Sequence, residues 1–279
     1  MEQLRDYADE RLLLGCIYCG AQDNTREHVP SRVLLDKPYP ENLPVVGACH
    51  PCNNGFSKDE EYVACLIESV IAGSTEPVKI RRPTIATLLE RSPALRACIE
   101  ASKTCDGNKI IFEVEHERVR RVLLKLARCH AAYELKQECR EEPTSIWWQP
   151  MALLNEQFLE EFNAPHMVQT YGEIGSRGMQ RLCVAEIKLA DPHGEERIVH
   201  MILNDWVDVQ EGRYRFQAID DGGVVRIKIV IGEYLACEAI WSLSAILCAG
   251  HIMRTKDHGY ADEEETHSSR SGGGPWATA

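Results

Sequence analysis

The clearest pattern in the chain is an apolar stripe with helical spacing shortly after residue 57. Apolar residues recur there at intervals of three and four, at Val63, Leu66, Ile67, Val70 and Ile71. This spacing places them on one face of an amphipathic helix. Ser57 is a capping residue followed by three acids, and Gly73 is a typical helix terminator. We therefore predict a helix over residues 57–73, followed by a linker as far as Pro83.

A second long helix is predicted over residues 115–137. Its apolar side carries Val119, Val122, Leu123, Leu126 and His130. Shorter helical patterns cover residues 84–91, 93–101 and 151–162. The second half of the chain changes to strand-like patterns, at residues 197–203, 214–219 and 224–231, with an earlier strand at 109–114. Asp220-Asp221-Gly222-Gly223 is a typical hairpin turn between the last two strands.

Cysteines add a constraint to the irregular segment before the first helix. Two Cys-x-x-Cys pairs stand there, Cys16/Cys19 and Cys49/Cys52. Four thiolates at this spacing predict one tetrahedral structural Zn²⁺, whereas a redox pair would need only one such motif. The other eight cysteines are scattered singly, and we expect them to be small buried apolar residues.

Composition limits the class of protein. The chain has 279 residues, 44% of them apolar and 27% charged, which is ordinary for a globular protein. No signal peptide is evident, and the apolar segment 239–250 is too short to span a bilayer. We therefore expect a soluble, cytoplasmic protein. The serine- and glycine-rich end, residues 262–279, is expected to be a disordered tail.

Charge is unevenly distributed along the chain. The net charge is −12, which is unfavourable for a nucleic-acid partner, but residues 79–140 carry 14 basic and 8 acidic side chains. This stretch could supply phosphate contacts, although on charge alone a solvated helical face is the better interpretation. The candidate phosphate ligands are Arg81, Arg82, Arg118, Arg120, Arg121, Lys125 and Arg128.

Polar residues between and after the cysteine pairs carry a resemblance. The order is Glu27-His28-Val29-Pro30, then Asn42-Leu43-Pro44, then Asn53-Asn54 directly after Cys52. With the cysteines, this order resembles the zinc-stapled HNH endonucleases of the ββα-metal superfamily, and it is similar to the phage endonuclease VII branch. The resemblance covers about residues 14–72. It implies an α+β chain whose N-terminal zinc-stapled ββα-metal, treble-clef-like module precedes a helical and then β-rich domain.

The resemblance also implies a role for each of these residues. His28 would be the general base of phosphodiester hydrolysis, since an imidazole titrates near neutral pH. Glu27 and Asn53 would hold a catalytic Mg²⁺ or Mn²⁺, which prefers oxygen ligands. Asn42 would fix the loop to the strand that carries His28. The chain departs from the endonuclease VII branch in having Glu27 where that branch has Asp, and many relatives have His in place of Asn53.

Other interpretations of these residues remain open. His28 could be an ordinary turn histidine, Glu27 a solvated acid and Asn53 a helix cap. The rival function is a non-enzymatic, zinc-pinned module that binds nucleic acid or protein. The expected domains are residues 1–75, the nuclease module, and residues 76–261, an α+β domain of unknown role. The expected partner is nucleic acid, DNA in particular, with no membrane.

Overall fold

Helices and strands are mixed along the chain, which is an α+β structure. The computed structural model describes residues 14–107, 109–170, 175–190 and 196–242, together with the backbone of 276–277. Its helices are α1 (His50–Ala72), α2 (Pro83–Arg91), α3 (Pro93–Ala101), α4 (His116–Leu135), α5 (Glu156–Asn163) and α6 (Arg177–Gln180). Its strands are β1 (Thr25–His28), β2 (Val45–Ala48), β3 (Lys103–Asp106), β4 (Lys109–Phe112), β5 (Ser145–Pro150), β6 (His166–Met167), β7 (Cys183–Ala190), β8 (Glu196–Asn204), β9 (Val207–Gln210), β10 (Tyr214–Asp221), β11 (Val224–Ile231), β12 (Leu235–Ser242) and β13 (Trp276–Ala277).

The described strands pair in antiparallel sheets. The largest has the order β5-β12-β11-β10-β9, and smaller sheets have the orders β1-β2, β13-β4-β3 and β6-β8-β7. The predicted turn between β10 and β11 is confirmed at Gly222-Gly223. Both glycines have positive φ angles, 60° and 76°, which a two-residue hairpin turn of this kind requires. Asp220 and Asp221, expected in the turn, instead pair with β11 as the end of β10.

Helix α1 begins earlier than its apolar stripe indicates. The predicted start at Ser57 is wrong, because the helix starts at His50 with Cys49 as its N-cap and a proline in the first turn. Gly73 ends it in the left-handed conformation, as expected. The first two turns carry mostly polar residues, so hydrophobic periodicity could not reveal them. The second cysteine pair therefore lies at the N-terminus of a helix of 23 residues.

Helix α4 lies between the segment that carries the paired cysteines and the largest sheet. On one side, the Cys129 sulfur forms a hydrogen bond of 3.1 Å with the hydroxyl of Tyr18, which lies between Cys16 and Cys19. On the other side His130 contacts the Tyr214 hydroxyl of β10 at 2.9 Å and stacks on Phe216. Apolar residues of α1, α4 and the sheet form one continuous core. Packing therefore crosses the domain boundary expected at residue 75.

One of the two segments expected to lack regular structure differs from the prediction, and the other lies largely outside the described residues. The linker expected after Gly73 is packed, since Ser74 and Thr75 are buried and the Thr75 hydroxyl donates to Glu100 at 2.6 Å. The tail expected over residues 262–279 lies outside the described residues, except that β13 pairs with β4. The apolar segment 239–250 begins in β12, and its residues after Ser242 lie outside the described part. Among the helices that the structure describes, none has the length and apolar character needed to cross a membrane.

Candidate metal centre and active site

The four paired cysteines converge on one point. The sulfur atoms of Cys16, Cys19, Cys49 and Cys52 all lie within 4.8 Å of one another. The Cys19 and Cys49 sulfurs are 3.6 Å apart, close to the ~3.8 Å between thiolates around a tetrahedral zinc ion with Zn–S bonds of about 2.3 Å. The donor set is soft and complete. The cluster could therefore hold a metal ion such as zinc, as the sequence predicts.

A tight backbone turn positions the first cysteine pair. The Cys16 N–H donates to the Ala21 carbonyl at 2.7 Å, and the Gly20 N–H donates to the Cys16 carbonyl at 2.8 Å. Burial opposes ionisation of Cys16, but backbone N–H groups of Cys49, Cys19 and Tyr18 outweigh it and lower the pKa of Cys16 to about 7. A thiolate is the form that binds a metal ion.

Gly47 explains how closely the first turn approaches strand β2. The Ile17 N–H donates to the Gly47 carbonyl at 3.1 Å. A Cβ atom on Gly47 would lie 2.7 Å from the Gly15 carbonyl oxygen and 2.8 Å from Asp23 Oδ2, which are impossible contacts. Only glycine allows this approach, so the two cysteine pairs meet across β2.

Strand β1 presents Glu27 and His28 to different environments, as alternation along a strand requires. Glu27 pairs with Val46 of β2 and is buried, with 6% of its surface exposed. His28 pairs with Val45 at the end of the strand and is half-buried. Burial lowers the pKa of His28, and the nearby cations Arg32 and Lys125 lower it further. The imidazole is therefore neutral at pH 7, the form in which it can accept a proton.

Glu27 forms an internal ion pair that sequence reasoning missed. The Lys125 ammonium of α4 lies 2.8 Å from Glu27 Oε1 and 2.6 Å from the Ser31 hydroxyl, and it also contacts Glu60 of α1. Ser31 donates to Glu60 in turn. The Lys125 side chain is fully enclosed. We call Glu27, Ser31, Glu60 and Lys125 the lysine cluster.

The charges of the lysine cluster depend on one another. Burial would lower the pKa of Lys125, but the acidic groups around it outweigh burial and raise the pKa. Burial raises the pKa of Glu27, and the Lys125 ammonium opposes that rise. One ammonium facing two carboxylates leaves an excess of negative charge when both are ionised. The alternative interpretation of Glu27 as an acid exposed to solvent is therefore wrong.

Two members of the lysine cluster hold Glu27. Lys125 contacts Oε1, and a hydrogen bond from the Ser31 hydroxyl also stabilises the ionised carboxylate.

Asn53 ties the start of α1 to strand β1. Its Nδ2 group donates to the Thr25 hydroxyl at 3.1 Å and to the Arg26 carbonyl at 3.3 Å. Thr25 and Glu27 lie on the same face of β1, two residues apart. Within the described residues no hydrogen bond reaches Asn53 Oδ1. Asn53 thus keeps an amide oxygen without a described partner beside the strand that carries Glu27.

Asn42 does not make the contact that the resemblance implies. Its side chain is exposed and forms no hydrogen bond to any residue that the structure describes. The backbone makes the connection instead, because the Val29 N–H donates to the Pro44 carbonyl at 2.8 Å beside the β1–β2 pairing. His50 is exposed, and its ring contacts Asn54 at 2.9 Å.

The basic residues of 79–140 are largely engaged inside the protein. Lys125 and Arg82 are buried, and Arg82 pairs with Asp36 at 2.7 Å. On the surface of α4, Arg121 pairs with Asp59 at 2.8 Å, and Arg118 pairs with the same carboxylate. Arg120 pairs with Glu142. Arg128 donates to the backbone carbonyls of residues 139–141. The prediction of phosphate contacts is therefore wrong for the two buried residues, Arg82 and Lys125. Internal ion pairs account for most of its positive charge.

The single cysteines divide into two groups. Those at 65, 129, 139 and 237 are buried, as expected, whereas those at 98, 105 and 183 are exposed. Cys248 lies outside the described residues. None of the described single cysteines joins the four-cysteine cluster.

A cleft opens beside the lysine cluster. It has a volume of about 360 Å³. Glu60 belongs both to its wall and to the lysine cluster, while Arg32 and Tyr39 line it from the segment after β1. Glu60 thus lies between the cleft and the Lys125–Glu27 pair.

Comparison with known proteins gives no relative for this chain. No protein-family model matches it, and neither a curated protein nor a solved structure matches it significantly. Its own geometry must therefore carry any functional interpretation.

Proposed function

We propose that this chain is a divalent-metal-dependent endonuclease of the HNH type that hydrolyses phosphodiester bonds in nucleic acid, DNA in particular. The observation that carries the proposal is the hydrogen bonding of Asn53 to β1. It joins the first turn of α1 to the strand that presents Glu27 and His28. A candidate base, a candidate carboxylate ligand and an amide oxygen without a described partner thus come from adjoining elements.

The four cysteines would hold a structural zinc ion in this proposal. A four-thiolate site is closed and offers no position for water or phosphate, so hydrolysis needs another cation. With zinc between the two cysteine pairs, β1, β2 and α1 would form a treble-clef-like ββα-metal module. The zinc would hold the N-terminus of α1 against the strands, and so keep Asn53 beside β1.

The remaining residues have separate roles in the proposed reaction. His28 is neutral at pH 7 and would accept the proton of the attacking water. Glu27 Oε2 and Asn53 Oδ1 would hold Mg²⁺ or Mn²⁺, leaving its other positions for water and phosphate oxygens. The cation would neutralise charge on the phosphate and on the leaving oxygen. Lys125 would fix Glu27 Oε1, which leaves one orientation for Oε2.

The Lys125–Glu27 pair also favours a second candidate function. An ammonium already neutralises Glu27, so this carboxylate does not need a metal ion. A zinc-pinned module that binds nucleic acid or protein without cleaving it would require nothing more. A neutral His28 next to the Glu27 carboxylate, on the strand that Asn53 binds, has no purpose in such a module, and for that reason we rank the nuclease first.

A metal add-back experiment separates the two functions. The protein is dialysed against a mild chelator, assayed for zinc, and incubated with supercoiled plasmid, single-stranded DNA and RNA. We expect no cleavage after dialysis, retained zinc, and restored cleavage with Mg²⁺ or Mn²⁺. Binding of nucleic acid without cleavage in any divalent metal would favour the second function.

Variants of the two proposed ligands locate the metal. Glu27→Gln should raise the Mn²⁺ concentration needed for half-maximal cleavage or abolish cleavage. Asn53→Asp keeps an oxygen but loses the donor to Thr25 and Arg26, so residual activity with altered metal preference is expected. Asn54→Asp, at the exposed neighbouring position, is the matched control and should leave the metal requirement unchanged. Equal metal dependence in all three would place the cation elsewhere.

A further inference from the structure

The cleft beside the lysine cluster has the chemistry of a ligand site. Its wall combines a cation, an aromatic ring and apolar side chains, namely Arg32, Tyr39, Val33, Ile85 and Leu88. Its volume of about 360 Å³ falls within the range of small-ligand pockets, roughly 300–1,000 Å³. Mixed apolar and polar walls of this kind suit a ligand that has both a flat ring and a charged group.

Arg32 is the exceptional residue of this cleft. It is exposed, and its guanidinium forms no hydrogen bond or ion pair with any residue that the structure describes; its carbon lies 5.9 Å from the centre of the Tyr39 ring. By contrast, Arg26 and Arg82 form ion pairs with acids. An arginine that stays unpaired in a chain of net charge −12 is available for an anion from outside. It lies four residues after His28, in the short helical turn that follows β1.

A second polar group of the cleft also lacks a partner. The Thr84 hydroxyl of α2 is enclosed and makes no hydrogen bond, although its side chain lines the cleft. Enclosed polar groups are nearly always paired, so an orphan hydroxyl calls for an explanation. Rotation about χ1, which threonine tolerates in a helix, would turn this hydroxyl towards a ligand. Glu61 repels phosphate, which leaves Arg32 as the phosphate contact of the cleft.

We infer that this cleft receives one unstacked nucleotide of the substrate, with its phosphate on Arg32 and its base between Tyr39 and the apolar wall. The inference rests on the proposed function, because His28 and Glu27 would cut the adjoining phosphodiester bond. A base inside a perfect duplex cannot enter such a pocket without leaving the stack. The preferred substrate is therefore nucleic acid with an unpaired nucleotide, rather than regular duplex.

Three oligonucleotides test the inference with the full-length protein. One is a perfect duplex, one carries a single unpaired nucleotide, and one carries a stable abasic analogue at that nucleotide. Binding is measured by fluorescence anisotropy with no added divalent metal, after dialysis against the mild chelator that leaves the zinc bound, and cleavage separately in Mn²⁺. We expect the wild type to bind the unpaired nucleotide about tenfold or more tightly than the abasic analogue, as stacking of one base on an aromatic ring provides.

Variants assign that preference to the cleft. Arg32→Ala should weaken binding of all three, and Tyr39→Ala should remove the preference for a base over the abasic analogue. Arg91→Ala, an exposed arginine at the far end of α2, is the matched control and should keep wild-type binding. Thr84→Val removes only the hydroxyl and should weaken binding of the unpaired nucleotide alone.

The outcomes separate the pocket from the nuclease. The nucleotide pocket would be overturned by equal binding of the unpaired-nucleotide and abasic substrates, or by no binding of either. It would also be overturned if Arg32→Ala bound as tightly as Arg91→Ala. Each result would count against the pocket even if the protein cuts DNA. A preference measured without added divalent metal, together with no cleavage in any metal, would support the pocket and overturn the nuclease.

Discussion

The ammonium of Lys125 lies 2.8 Å from Oε1 of Glu27, although the two residues belong to separate parts of the chain. Glu27 stands on β1 between the cysteine pairs, and Lys125 stands on α4, beyond residue 75. Helix α4 thus contributes a buried charge to the centre of the candidate nuclease module. In the folded chain, α4 supplies the cation that lies between Glu27 and Glu60, two carboxylates of the segment 1–75.

From the buried Lys125–Glu27 ion pair we predict the loss of stability that follows when Lys125 is replaced. Lys125→Met should lower the free energy of unfolding by about 3–5 kcal/mol, since loss of one partner leaves buried charge uncompensated. The loss should be larger at pH 8 than at pH 5, because the remaining carboxylates can become neutral only by taking up protons. Urea unfolding at the two pH values measures both quantities.

A double variant controls for lost packing. Lys125→Met combined with Glu60→Gln removes one positive and one negative charge, so part of the stability should return. If Lys125→Met unfolds at the wild-type urea concentration at both pH values, the buried ion pair does not exist in solution.

The four-cysteine cluster predicts one tightly bound zinc ion per chain. Metal analysis of the purified protein should show this ratio, and Cys52→Ser should lose zinc and unfold the N-terminal part of the chain. Cys105→Ser changes an exposed cysteine outside the cluster and should retain zinc and fold. A stably folded protein without metal would refute the cluster as a zinc site.

His130 predicts how stability depends on pH. Burial lowers the pKa of His130 to about 3, with a further contribution from Arg181. In the unfolded chain this histidine takes up a proton near pH 6.5. The folded state cannot do so until about pH 3, so its stability falls as the pH drops through this window, by about 1.4 kcal/mol per pH unit from this residue.

His130→Gln tests this pH dependence. Glutamine can still hydrogen-bond the Tyr214 hydroxyl but does not titrate, so the variant should lose stability more slowly than wild type between pH 6 and pH 4. Chemical unfolding across that range provides the measurement. Parallel stability curves for the two proteins would mean that His130 is not held neutral.

Local patterns predicted the regular elements well where apolar residues dominate. The expected helix 115–137 is α4 (His116–Leu135), and the expected strand 224–231 has the bounds of β11. The cysteine cluster was also predictable, because metal geometry is encoded in the short Cys-x-x-Cys spacing. In these cases the determinants lie within a few residues of each other.

The environment of the candidate site could not be predicted in the same way. Lys125 was expected on a phosphate-binding face, yet it is buried against Glu27 and Glu60. Its partners come from β1 and α1, and the hydrogen bond to Ser31 spans 94 residues. Helical spacing offered a hint, since Val122 and Cys129, three residues before and four residues after Lys125, are both buried. Tertiary packing, rather than the local sequence pattern, determines that the Lys125 side chain is buried.

The most direct test of the central claim is the cleavage rate of His28→Ala beside that of His50→Ala. Both histidines lie between residues 25 and 55, but His50 is exposed on the helix start and has no role in the proposed reaction. With excess protein, Mn²⁺ and a labelled DNA containing an unpaired nucleotide, we expect wild type and His50→Ala to cut at the same rate. His28→Ala should cut about 10²–10⁴-fold more slowly while keeping its zinc and its fold. Cleavage by His28→Ala at the wild-type rate, or no cleavage by any of the three proteins, would contradict the account.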